Sequence, residues 1–218
     1  MLTTTDLFDL SHSLAGSYLS TFEYPWQALK GISELIRTLG PQLGADYQEI
    51  SPEVWVHKTA VIAPTAFLGA PCIIGAETEV RHCAFIRGSA LVGAGCVVGN
   101  SVELKNVILF DKVQVPHYNY VGDSILGYKA HMGAGSLTSN VKSDKTLVVV
   151  KNGTEQIPTG LKKFGAMLGD CVEVGCNSVL NPGTVIGRCS NIYPTSCVRG
   201  MVPENSIFKT GGVIVAKV

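Results

Sequence analysis

The stretch VHKTAVIAPTAFLGAPCIIGAETEVRHCAFIRGSALVGAGCVVGNSVEL, residues 56–104, carries an aliphatic residue at every sixth position: Val56, Ile62, Leu68, Ile74, Val80, Ile86, Val92, Val98 and Leu104. A glycine follows at Gly69, Gly75, Gly93 and Gly99. Four places after the aliphatic residue stands a small one, at Ala60, Ala66, Cys72, Thr78, Ala84, Ala90 and Cys96. Neither a helical period of about 3.6 nor a strand period of about 2 produces this spacing. Three hexads per turn do: each makes one short strand and one corner of a triangular prism. The aliphatic side chain points to the axis and the small one fits the corner. Successive coils then stack as parallel strands about 4.8 Å apart, giving a solenoid.

Outward from this stretch, a five-residue step leads to Leu109, and the beat continues at Val115 and Val121. A second five-residue step reaches Leu126, then Met132; the beat resumes at Leu168, Val174, Leu180, Ile186, Ile192 and Val198. The fold class is all-β, a parallel β-helix over 51–203; the spacing leaves its hand open.

Residues 1–50 contain no hexads. PWQALKGISELIRTLGP, residues 25–41, places Trp26, Leu29, Ile32, Ile36 and Leu39 near one helical face, with Gly40 and Pro41 as a stop. This predicts an N-terminal helical cap over the open end of the solenoid, where a bare strand edge would otherwise lie; a partner-docking helix is the competing reading. A polar excursion at 138–165 interrupts the beat, and such an insertion belongs beside a binding site or a subunit contact. The tail, 204–218, alternates enough to add a strand.

The 218 residues have a formal net charge of +0 and 16% charged residues, which disfavours a nucleic-acid or anionic-membrane surface. The longest apolar runs fall far short of a membrane span. Residues 1–20 show no basic region followed by an apolar one, so a cytoplasmic protein is expected. The seven cysteines form no CxxC pair and match no zinc pattern, so no metal is expected and small buried thiols filling the core are.

Residues that break a monotonous repeat are informative. Arg87 stands where glycine usually follows the aliphatic residue, and Lys105 stands eighteen residues later, one coil along on the same face. Like charges paired across strands destabilise a sheet unless an anion sits between them, and phosphate is the natural guest. In PHYNYVGD, residues 116–123, a histidine and two tyrosines interrupt the aliphatic run; stacking puts Tyr120 beside Glu103, with His117 at the same edge. Imidazole suits proton abstraction near neutral pH, and a nearby carboxylate would orient it. A lone histidine ordinarily fills a structural role, which is the reading for His12, His57 and His82.

GNSVELKNVILFDKVQVPHYNYVGDSILGYKAHMGAGSLTSN, residues 99–140, resembles the acetyltransferase half of the bifunctional N-acetylglucosamine-1-phosphate uridyltransferase/glucosamine-1-phosphate acetyltransferase family. The likeness runs over about residues 52–200 and rests on the GN-x-VE-x-K run, the H-x-x-Y-x-GD run and the GAG turn. It implies a left-handed coil, a homotrimer, acetyl-CoA as co-substrate and an amino-sugar phosphate as acceptor. By resemblance His117 is the general base and Glu103 assists it. Arg87 and Lys105 hold the sugar phosphate, Tyr120 and Asn140 contact the sugar, and Lys163 in KKFGAMLGD is a further substrate residue. Acetyl-CoA contacts map onto Ala134, Cys176 and Pro194. His131 stands where the family has a sugar-binding asparagine. No LxxGxGTRM-like loop occurs in 1–50, so nucleotidyl transfer is not expected of this chain. Other readings stay open: a sugar-phosphate binding protein without transfer, an accessory solenoid docking a separate nucleotidyltransferase, and a transferase acting on a hydroxyl.

Overall fold

The aliphatic beat becomes three stacks of short parallel strands in the computed structural model, which describes residues 1–217. The first face stacks Val54–His57, Cys72–Ile74, Ala90–Val92, the ends of Glu103–Leu109 and Tyr120–Leu126, Ala166–Leu168, Thr184–Ile186 and Met201–Val202. The second runs from Val61–Ile62 through Glu79–Val80, Val97–Asn100, Gln114–His117, His131–Met132, Glu173–Val174 and Asn191–Ile192 to Ser206–Phe208. The third holds Phe67–Leu68, Phe85–Ile86, the beginnings of Glu103–Leu109 and Tyr120–Leu126, Leu137–Thr138, Val179–Leu180 and Cys197–Val198. This is the left-handed parallel β-helix of hexapeptide-repeat proteins.

From Ile74 onward most corners turn on the fourth residue of the hexad, which adopts the left-handed region. Glu77, Cys83, Ser101, Lys112, Tyr118, Lys129, Cys171, Asn177 and Cys189 all have φ between +54° and +62° or, for Tyr118, +52°. Each such corner costs a non-glycine residue about 1–2 kcal/mol, offset by the apolar burial it allows. Glycine is needed where coils touch: a Cβ on Gly93 would stand 2.7 Å from the Phe110 carbonyl carbon.

The N-terminal segment is helical as expected, with a 3₁₀ turn at Pro25–Gly31 running into an α-helix at Ile32–Leu39. Its placement differs from the expectation. Rather than closing an end, it lies along the first face. Leu7 O accepts from Asp170 N (3.0 Å), His12 stacks on Tyr128 (3.7 Å), Trp26 packs on Phe164 (5.7 Å), and Gly40 abuts Trp55. The reason lies in the outward side chains of that face, Trp55, Ile73, Leu91, Ile108, Ile125, Met167 and Val185, all apolar and all buried. Outward places on the second face are Val61, Glu79, Val97, Gln114, His131, Glu173 and Asn191, which tolerate water. An apolar sheet face left bare would cost far more than an open end a few strands wide.

At each end one face is extended by an antiparallel strand instead: Tyr47–Ser51 on Val54–His57, and the tail strand Ile214–Ala216 on Ser206–Phe208. Within the excursion, Val149–Asn152 and Glu155–Pro158 form an antiparallel hairpin whose Val148 and Val150 are buried. Among the described residues no helix is long and apolar enough to cross a membrane.

The expectation of cysteines as core filling needs correction. Cys72 and Cys96 are buried in small-residue places, and burial pushes both thiols up to about 12. Cys83, Cys176 and Cys197 are exposed: Cys83 is a corner residue in the left-handed region, Cys176 sits in the turn just before the left-handed Asn177, and Cys197 takes an outward strand place.

If the first face is a second core layer, Ile108→Ala removes buried volume and lowers stability by about 2–5 kcal/mol. The equally outward Val97→Ala on the uncovered second face should cost under about 1 kcal/mol. Denaturant titration of the two variants measures the difference.

Candidate functional site

The strand Gln114–His117 ends the second face, and the chain turns the corner at Tyr118 (φ +52°) before Tyr120 opens the third. Asn119 occupies the small-residue place of this hexad and is buried. Its Nδ2 donates to Gly133 O (2.9 Å) and Ser136 O (3.0 Å), while its Oδ1 accepts from His117 N (3.1 Å). That asparagine clamps the backbone of His117 to the next coil and leaves the imidazole exposed at the corner. Among the described residues nothing hydrogen-bonds the ring.

The same corner continues coil by coil. Gly135 N donates to His117 O (3.0 Å), Asn177 N to Ala134 O (2.9 Å) and Thr195 N to Cys176 O (2.8 Å). Ala134, Cys176 and Pro194 therefore stand in one row that starts at His117. Beside the row lies a groove of about 590 Å³ whose lining includes Gly133, Cys176, Tyr193 and Pro194. In the GAG turn, Gly133 N donates to Val174 O and Gly135 N to His117 O, so Ala134 N is left without a protein acceptor among the described residues.

Round the corner, on the third face, Glu103 pairs in register with Tyr120, and Leu104 with Ile86, which stacks Lys105 on Arg87. The two cations share a face as the spacing predicts, but each already has a carboxylate. Arg87 Nη1 donates to Glu103 Oε1 (2.8 Å), and Lys105 Nζ lies 3.1 Å from Asp123 Oδ2. Repulsion between them is thus relieved within the chain, and four of the five guanidinium N–H donors remain for an anion. The expected partnership of Glu103 with His117 is not made. The carboxylate turns to Arg87, a charge-assisted bond stronger than one to a neutral ring.

Asp123 is the residue that sequence reasoning missed. Its side chain is 6% exposed and accepts from Lys105 Nζ, Asn106 Nδ2 (3.0 Å) and Asn140 Nδ2 (2.5 Å). Asn140 Nδ2 also reaches Tyr120 Oη (3.1 Å), so one carboxylate joins Lys105, Asn140 and, through Asn140, Tyr120. A signal existed in the five-residue steps: Asn106 and Asp123 are their corner residues, with φ of +55° and +48°. Burial, reinforced by the Asp123 and Glu103 charges, raises the Tyr120 phenol above its ordinary value, keeping it a neutral hydroxyl. The ring lies over Gly122, where any Cβ would run into it; Tyr120 Cζ would be 2.7 Å away.

Lys163 is brought to the same surface, since Phe164 N donates to Asn140 O (2.9 Å) and Gly165 N to Asp123 O (2.9 Å); its side chain is exposed. His131 is not. It precedes the inward Met132 on the second face, so it points away from the third, and its Nδ1 meets Glu173 Oε2 at 2.7 Å. Within one chain it is apart from Arg87, Lys105, Tyr120 and Asn140.

The family model described as GMPPB C-terminal domain matches residues 77–188, just over half of the chain. A bifunctional sugar-1-phosphate nucleotidylyltransferase/acetyltransferase from Sulfurisphaera tokodaii is 34% identical over 106 residues, 49% of this chain and 26% of the relative. The bifunctional protein GlmU from Methanococcus maripaludis is 31% identical over 115 residues, 52% of this chain and 28% of its own length. The chain thus spans about a quarter of the length of these curated relatives. Among solved structures, a hexapeptide transferase family protein from Anaplasma phagocytophilum aligns with TM-score 0.40 at 16% identity, over 71% of this chain and 73% of that one. The match across the coils that carry Arg87, Lys105, His117, Asp123 and Asn140 makes this chain a member of the GMPPB C-terminal domain family, built as a hexapeptide-repeat solenoid.

Proposed function

We propose that this protein is an acyl-CoA-dependent acyltransferase that acetylates the amine of an amino-sugar 1-phosphate. One observation carries the reading: His117 stands exposed at the corner between an apolar row suited to a thioester carrier and a face whose charged groups suit a sugar phosphate. The acyl donor lies along Ala134, Cys176 and Pro194, and the sugar phosphate meets Arg87, Lys105 and Lys163. Tyr120 and Asn140, held by Asp123, contact the sugar.

Attack by the amine on the thioester carbonyl forms the C–N bond as His117 takes a proton from the nitrogen. Collapse breaks the C–S bond, and the thiolate leaves to be protonated as CoA. The free Ala134 N–H suits the oxyanion that forms in between. Arg87 and Lys105 supply proximity, converting an encounter into an intramolecular-like step. Glu103 acts on Arg87, fixing the guanidinium for the phosphate, rather than on the base.

A homotrimer belongs to the same proposal. The third face leaves Phe67 (58%) and Phe85 (44%) exposed on stacked strands with no covering segment, and a neighbouring copy would bury them. It would also bring a second chain's His131 face toward the acceptor. A binding protein without transfer is the rival reading, favoured by Glu103 turning to Arg87 and leaving the His117 ring without a carboxylate partner among the described residues; calorimetry with acetyl-CoA separates the two.

His117→Ala should cut thiol release from acetyl-CoA with glucosamine-1-phosphate by about 10²-fold or more, with the assembly mass unchanged by light scattering. Turnover at the parental rate removes His117 as the base. Asp123→Asn keeps the shape but releases Lys105, so KM for the sugar phosphate should rise by about ten-fold while KM for acetyl-CoA holds. Cys176 gives a third check: saturating CoA should slow its modification by a thiol reagent, without protecting Cys83, while Cys72 and Cys96 stay unlabelled until unfolding.

A further inference from the structure

The excursion after Asn140 builds a second cationic pocket that the proposed reaction does not use. On the third face the place after the inward residue is filled in turn by Arg87, Lys105, Gly122, Ser139, Asn181 and Arg199, as the strand registers show. Arg199 therefore stands on the same rank as the acceptor cations, four strand spacings beyond Lys105, or about 19 Å. Where Arg87 and Lys105 have carboxylates, Arg199 has only Asn181 Oδ1 at 3.4 Å. The hairpin folds back over it, with Lys151 O against Gly200 and Val149 O against Gly183.

The result is a recess of about 420 Å³ lined by Lys142, Lys151, Gln156, Arg199 and the Gly200 backbone, with Asp144 at its side. Asp144 is committed to Lys142 (3.3 Å) and to Thr146 N (3.0 Å). Lys151 and Arg199 have no acidic partner among the described residues, so the recess holds two uncompensated cations from separate segments of the chain. Two cations lining one recess repel each other, and a bound anion would relieve that repulsion beyond what the Asp144 carboxylate, already paired with Lys142, supplies. Planar Arg199, the Lys151 and Lys142 ammonium groups and the Gln156 amide together offer the donor set for phosphate oxygens.

We propose that this recess is a second anion site, taking a diphosphate group, separate from the acceptor phosphate at Arg87 and Lys105. A sugar 1-phosphate is too short to reach both. The inference is independent of the transfer reaction, because none of its residues takes part in that chemistry.

The test is calorimetric titration of the full chain in the Arg87→Gln background, which weakens the acceptor phosphate site, at about 0.1 M salt. Inorganic pyrophosphate should bind saturably with one site per chain. Adding Lys151→Gln and Arg199→Gln should weaken it by about ten-fold or more. Both side chains are exposed, so the variant should keep its fold, checked by circular dichroism. Absence of saturable binding in the Arg87→Gln protein, or a Kd that changes less than five-fold in the triple variant, overturns the site. A parallel arm with UDP distinguishes sources: tighter binding than pyrophosphate assigns the diphosphate to a nucleotide, and equal binding assigns the bare anion.

Discussion

In-register stacking of one coil on the next is the constraint from which the rest follows. Inward aliphatic residues such as Ile74, Val92, Leu109, Leu126, Leu168 and Ile186 form a column on the first face, all buried, and equivalent columns line the other two. Each buried aliphatic side chain contributes about 1.5–3 kcal/mol. On the second face a slip of one residue would turn the aliphatic column outward and bring Glu79, Gln114, His131 and Glu173 inward, so register is strongly specified there. Backbone ladders then fix every side chain's height along the axis. A solenoid built this way places functional groups by counting: residues about one turn apart in sequence become neighbours in space.

The chemistry gathers where the count is broken. Two five-residue steps, Leu104 to Leu109 and Val121 to Leu126, shorten successive coils at the same corner. There the third and first faces run together into the long strands Glu103–Leu109 and Tyr120–Leu126. Asn106 and Asp123 take the corner, and the Asp123 carboxylate is held where its partners are Lys105, Asn106 and Asn140. A buried carboxylate is tolerated only with such a full set of donors. The same device recurs at Asp170, which accepts from Asp9 N (2.7 Å) and Tyr128 N (2.8 Å) and ties the N-terminal segment to the coils. Burial raises that carboxyl above its ordinary value. That raise is what remains after the two backbone donors oppose it; it favours the folded state below the ordinary carboxylate value, and this gain is lost as pH rises through the raised one.

The third face and the corner row from His117 to Pro194 differ in what they offer. The face carries paired charges with donors to spare, and the row is largely apolar, with the Ala134 N–H nearest His117 left without a protein acceptor among the described residues. His117 is where they meet. Asn119 serves both, since its amide occupies a small-residue place and clamps the histidine's backbone to the next coil. The crowding of PHYNYVGD is thus the consequence of one corner serving two faces.

The hexad spacing alone determined the solenoid, its breaks at 1–50 and 138–165, the stacking of Arg87 on Lys105 and of Glu103 on Tyr120. These are legible because a repeat of fixed period converts sequence separation directly into axial height. The alternating tail was legible as a strand for a different reason, the two-residue period of a half-buried strand. Lateral relations were not. Which face the N-terminal segment covers depends on the second apolar residue in Ile73–Ile74, Leu91–Val92, Ile108–Leu109 and Ile125–Leu126, a signal that only makes sense once three faces are distinguished. Whether Glu103 turns to His117 or to Arg87, whether His131 shares a face with Tyr120, and that Asp123 joins Lys105, Asn106 and Asn140 were all decided by side-chain direction at the corners. Tertiary structure alone settles these, because hydrogen bonds and ion pairs depend on ångström-scale distances that a periodic pattern leaves free.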